Sequence, residues 1–227
     1  MTQWIENPEG GRDRGPRALA RAWFEVLTSP RRFFRAGVAP ADQAPGLFFL
    51  MAVVLVSEGT RYALEAGAAP AIGGRPYAGA VFGLAATVFL IAPLSLHLFV
   101  ALQTVILRFF VSDRAGVSET VQVMAYATAP CVFAGLPYPR VRVVCAVYGF
   151  ALLVVGMAVV HDAPYRRIVP AVAVPGAFGF GYAFRGFGAA RALVGDLPVP
   201  LQRALDRLPL ALDAAFEAVL AAAAVGL

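Results

Sequence analysis

The stretch Gly46–Glu65, GLFFLMAVVLVSEGTRYALE, is uncharged from Gly46 to Ser57 and then carries three charges. A hydrocarbon core takes about 20 helical residues, so the uncharged part alone is too short to cross one. A helix that crosses here must bring Glu58, and with it Arg61, into or near the lipid. Glu58, Arg61 and Glu65 are spaced three and four residues apart, which puts them on one helical face. They read as a polar site facing the interior of a bundle, such as a proton or ion relay, or as an ion pair that lets the helix insert. On the second reading Arg61 reaches toward water and Glu65 already lies at the interface. An unpaired charge in lipid is expensive, and pairing across one turn lowers that cost.

Composition supports the membrane reading. Of 227 residues 59% are hydrophobic and 15% charged, and the mean hydropathy is +0.71. Soluble domains carry about a quarter charged residues, so this chain is both richer in apolar side chains and poorer in charge. The net charge is +5, and all 19 basic residues are Arg. They cluster beside apolar segments, which excludes a nucleic-acid face and fits an orientation signal. Two cysteines make no disulfide scaffold. The first strongly apolar run starts only near Gly46, which reads as an anchoring span rather than a cleaved leader.

Working outward, residues 1–15 are polar and Gly/Arg-rich and read as disordered. PRALARAWFEVL places Leu19, Ala22, Trp23, Val26 and Leu27 on one helical face, and Ser29-Pro30 opens a second short helix, PRRFFRAG. Trp23, Arg31, Arg32, Phe33 and Phe34 mix basic and aromatic character, which predicts contact with the membrane interface, with packing on the end of the bundle as the other reading. Spans are expected at about 46–66, 78–110, 119–136, 141–161 and 168–187, the second one long helix, tilted or kinked, with Pro93 near its centre, and the third starting after Ser118 as N-cap. The fold class is then all-α, a polytopic bundle of five membrane helices. Residues 188–227 form an amphipathic C-terminal tail. Seven arginines precede the first span and only Arg75 follows it closely, which predicts a cytoplasmic N-terminus in a multi-pass cell-membrane protein. Five crossings put the tail outside, a placement that Arg185 and Arg191 fit poorly.

SPRRFF before the first span, ETVQVMAYATAP opening the third, and VYGFALLVVGMAVVHDAPYRRIVPAVAVP across the fourth and fifth resemble prokaryotic members of the Yip family, the Ypt/Rab-interacting-protein membrane domain. The similarity covers roughly residues 18–187 and rests on the order and spacing of weak motifs. It implies a five-helix membrane domain with a cytoplasmic N-terminus. In eukaryotes such proteins are linked to vesicle traffic and small GTPases, whose better-known motifs are not evident in this chain.

For chemistry, Glu58, Arg61, His97, Glu119, Gln122 and Tyr126 are the candidate intramembrane polar residues; the last three share a face of the third span. Cys131 and Cys145 read as small buried hydrophobes rather than a redox pair. No clustered metal ligands, phosphate loop or catalytic triad is forced by the spacing, and no cofactor is implied. The expected function is non-enzymatic: a membrane organiser or adaptor acting through lipids, other membrane proteins or a second copy of itself. The alternative is a small transporter with Glu58, Arg61, His97 and Glu119 lining a path.

Overall fold

Prolines set where the helices begin. Pro16, Pro30, Pro45, Pro76 and Pro139 all stand in a first helical turn, where a missing N–H leaves no bond unmade. The structure, a computed structural model, describes residues 15–112 and 114–195 together with Pro200, Arg203, Arg207, Ala211 and Ala214. The expectations for residues 1–14 and for most of the tail lie outside these. In chain order the helices are α1 (Pro16–Thr28), α2 (Pro30–Gly37), α3 (Ala44–Leu64), α4 (Pro76–Ala86), α5 (Ala92–Phe110), α6 (Val117–Ala127), α7 (Pro139–Val160), α8 (Tyr165–Gly176) and α9 (Gly186–Val194). A π-helical turn, Thr87–Ile91, joins α4 to α5 without a break, and a second, Ala177–Ala183, extends α8. A 3-10 turn, Ala129–Phe133, extends α6.

Among the described residues, three helices are long and apolar enough to cross a membrane: α3, the continuous Pro76–Phe110 helix and α7. A fourth counts if α8 with its π-turn and α9, bent by 72°, are taken as one broken span. Only 17% of the most apolar window of Pro76–Phe110 is buried. Phe48, Leu55, Val81, Phe82, Phe89, Leu94, Leu98, Val144 and Val147 all face outward. In water such a surface invites aggregation, whereas hydrocarbon is its natural surrounding. The protein is an all-helical, multi-pass membrane protein.

Residues 119–136 do not form a lipid-facing span. α6 has 11 residues and starts at Val117, with Gly116 at the cap position; Ser118 does not cap it. Every residue from Thr120 to Ala127 is buried, because α6 is the axis of the bundle, packed by α3, α5 and α7. Protein surrounds it, so polar side chains here meet partners rather than lipid. Two glycines permit the approach. A Cβ on Gly46 would stand 2.9 Å from the Gln122 Cα, and one on Gly135 would stand 1.9 Å from the Ser57 carbonyl oxygen.

Proline also explains the first π-turn. Pro93 has no N–H to offer Phe89, and just before it Ala92 N–H bonds back five residues to Thr87 instead. Pro175 likewise leaves the Ala171 carbonyl without its helical donor, and Gln103 of α5 supplies one through Nε2 at 3.1 Å. The sequence thus places a buried amide opposite the carbonyl that a proline orphans.

Candidate functional site

Between α3, the α4–α5 helix and α8 with its π-turn lies a cavity of about 300 Å³. Met124 of α6, Thr128 just beyond it and Leu153 of α7 also line it, and most of its walls are apolar. Ser57, Glu58, Arg61, Tyr62 and Arg185 give it a polar end.

Glu58 organises that end. Its Oε2 accepts from Arg61 Nε at 2.9 Å and pairs with Arg61 Nη2 at 2.8 Å, the one-turn pairing that the spacing predicts. Its Oε1 accepts from Arg185 Nη1 at 2.7 Å. Arg61 also lies 4.9 Å over the Tyr62 ring. Glu65, one turn on, pairs with Arg142 at the start of α7. The charges that open the question at Gly46–Glu65 therefore end α3 inside two ion pairs between helices.

Arg185 arrives through backbone geometry. Its φ is 61°, in the left-handed region, and this residue turns the chain from the second π-turn into α9. Gly186 follows because a Cβ there would lie 2.6 Å from the Phe180 carbonyl oxygen and 2.7 Å from the Ala146 Cβ.

The other expected polar residues lie elsewhere. His97 is exposed, with Nδ1 2.7 Å from the Pro93 carbonyl and Nε2 3.3 Å from Gln43 Oε1. Glu119 stands in the first turn of α6, its carboxylate against Gly116. Gln122 is fully buried and pairs twice with Ala39, accepting its N–H at 3.2 Å and donating to its carbonyl at 2.6 Å. Tyr126 lies between Phe33 and Phe49, centroids at 4.9 and 5.1 Å. Gln122 and Tyr126 hold α2 and its following loop onto α6. Of the four residues of the expected transport path, Glu58 and Arg61 line this cavity and His97 and Glu119 do not.

The expected interface set divides. Phe33 and Phe34 are 0% and 1% exposed and belong to the core, a correction to their reading as membrane contacts. α2 lies on α7 and α6, and its apolar face is spent there. Trp23 is half-buried and donates Nε1–H to the Ala129 carbonyl at 2.8 Å. Arg31 and Arg32 stay exposed, Arg31 donating to the Tyr165 hydroxyl at 3.0 Å. Cys131 and Cys145 are buried free thiols.

Arg185 and Ser57 are the site residues that spacing rules miss. Arg185 has a signal in the sequence nonetheless: with Arg191 it is one of two arginines that fit the orientation count poorly, and it is set in an apolar, glycine-rich run.

No curated protein and no solved structure matches the chain. The family model of the Yip1 domain matches residues 24–185, more than two thirds of the sequence, from α1 to the arginine that closes the site. The chain belongs to the Yip1 domain family.

Proposed function

We propose that this is a non-enzymatic protein of a cell membrane, crossing it five times with its N-terminus in the cytoplasm, and that it organises the membrane through lipid contacts of its N-terminal helices. The observation that carries the reading is the two-sidedness of α2. Phe33 and Phe34 are locked into the bundle, which holds Arg31, Arg32 and Arg35 outward. Arg17 and Arg21 of α1 and Arg166 and Arg167 of α8 are also exposed, and the Arg31–Tyr165 bond ties the α2 and α8 groups together. Basic residues near an anionic leaflet contribute about 1 kcal/mol each, so a rigid group of this size favours an anionic lipid surface.

The fifth crossing is α6 with its 3-10 turn. Together they rise about 26 Å, close to the ~30 Å of a hydrocarbon core. Enclosed by other helices, this segment needs no lipid-compatible face.

The test is lipid retention by the full-length protein. In nanodiscs of mixed phosphatidylglycerol and phosphatidylcholine, native mass spectrometry should find phosphatidylglycerol enriched around the parent, and the Arg31→Gln/Arg32→Gln/Arg35→Gln variant should lose most of that enrichment while staying folded. Equal enrichment in both would remove the lipid-contact role.

A further inference from the structure

The Glu58 cavity has three features that an ion pair serving structure alone does not need. The first is charge. One carboxylate is shared by two guanidiniums, so the cluster keeps a net positive charge beside an apolar space. A guanidinium offers five N–H donors, and the partner of Arg185 among the described residues is Glu58 Oε1. The second is a buried hydroxyl. Ser57 is 1% exposed and lines the cavity, and its Oγ has no hydrogen-bond partner among the described residues. Buried polar groups are ordinarily satisfied. The third is backbone. Both π-helical turns line this one cavity, through Thr87 and Ile91 on one side and Gly179, Phe180 and Ala183 on the other. Such turns are rare and gather at functional sites.

We propose that this cavity binds an acyl chain carrying an anionic head. Carboxylate or phosphate oxygens of the head accept from Arg185 and Arg61 and from the Ser57 hydroxyl. The chain lies along Leu50, Val54, Leu96 and Phe99. The walls select this chemistry. An apolar lining gives a small hydrated anion nothing for its other faces, and the surplus positive charge rejects a cationic amphiphile. The volume falls at the low end of small-molecule sites, which run about 300–1,000 Å³, so it takes one chain and leaves any second chain in the bilayer. Exposed Ile91 and Ala183 on the two π-turns mark the rim through which a chain enters from the lipid.

The site is separate from the basic face of α1 and α2. Phe34 meets α7 at Gly156 and Glu65 pairs with it at Arg142, which places the two regions about 21 Å apart along that helix. Loss of lipid enrichment in the α2 variant and loss of binding here are therefore distinguishable results.

Equilibrium binding to the full-length protein in neutral detergent tests the proposal, with oleate, oleyl alcohol, dioleoyl-phosphatidylglycerol, dioleoyl-phosphatidylcholine and inorganic phosphate as probes. At least one anionic probe should bind saturably, tenfold or more tighter than its neutral counterpart. A preference for oleate assigns the site to free fatty acids, and a preference for phosphatidylglycerol assigns it to a membrane phospholipid; both support it. Arg185→Gln should weaken binding tenfold or more. Glu58→Gln should strengthen it severalfold, because the competing carboxylate charge is gone from both guanidiniums. Ala183→Trp, which leaves the charges intact, should block the chain. Binding of neither anionic probe tighter than its neutral counterpart, full competition by inorganic phosphate, or weaker binding in Glu58→Gln would each overturn the proposal. That last outcome is what an ion pair serving only to hold α3 to α9 produces.

Discussion

His161 caps α7 just beyond its last residue, and its hydrogen bonds fix its tautomer. Nδ1 accepts the Ala115 N–H at 3.1 Å, so the ring proton is on Nε2, which faces Thr120 Oγ1 at 3.3 Å. That hydroxyl in turn donates to the Gly116 carbonyl. The chain entering α6 is held by a neutral imidazole, and protonation would point an N–H at the Ala115 N–H. Burial, with the nearby Arg114 charge adding to it, lowers the His161 pKa from 6.5 to about 4. The unfolded chain therefore takes up the proton first as pH falls. Stability from this group is complete above about pH 6.5 and is lost as pH falls from there through about 4, by about 3 kcal/mol at most. The unfolding midpoint in detergent should accordingly fall over this range. His161→Asn, which keeps an acceptor near Nδ1 and cannot be protonated, should lose less. Equal acid losses in both proteins would assign the effect to other groups. Nothing local in the sequence announces this network: His161 beside Asp162 reads as interfacial, and only the return of α6 buries it.

α2 shows what periodicity tells and what it leaves open. PRRFFRAG has an apolar face and a basic face at helical spacing, and the structure forms that helix at Pro30–Gly37. Spacing does not say what covers the apolar face. Lipid is one answer, and Val123, Gly156 and Tyr126 are the actual one. The same limit applies to α6, whose apolar content suggests a span while its burial comes from how α3, α5 and α7 pack around it. It does not apply to the α4–α5 helix or α7, where length and a long apolar run decide the outcome locally. Arg61 was legible from Glu58 because helix geometry relates them; Arg185, 127 residues on, was not. For α2 the consequence is asymmetric. Phe34→Ala should cost about 3 kcal/mol, because the ring fills space against Gly156 and Val123 and leaves a cavity when removed. Arg32→Gln on the exposed face should stay within about 0.5 kcal/mol. Unfolding in detergent measures both, and similar losses would mean that α2 is not seated on the bundle.

Across the whole molecule, the number of crossings is a question of parity. α3, the α4–α5 helix and α7 are apolar enough to cross by themselves, and α8 follows with its π-turn. The chain between Phe110 and Pro139 either returns across the membrane through α6 or leaves the ends of α5 and α7 on one side. Two contacts favour a return: Arg142 near the start of α7 pairs with Glu65 at the end of α3, while Phe34, ahead of α3, packs against α7 at Gly156. α7 is therefore antiparallel to α3, and with the α4–α5 helix leading back between them, α6 has to run in the direction of α3. Arg185 no longer argues against this orientation, since its charge is shared with Glu58 rather than left to sort the chain. Five crossings place Thr28 and Gly188 on opposite sides, and four place them on the same side. Both positions are exposed, and a side chain at Gly188 meets no atom within 4 Å. With Cys131 and Cys145 replaced by Ala, single cysteines at these two positions should react with a membrane-impermeant maleimide from opposite faces of sealed vesicles, Thr28→Cys only once the cytoplasmic face is accessible. Labelling of both from one face would remove α6 as a crossing and, with it, the five-span topology.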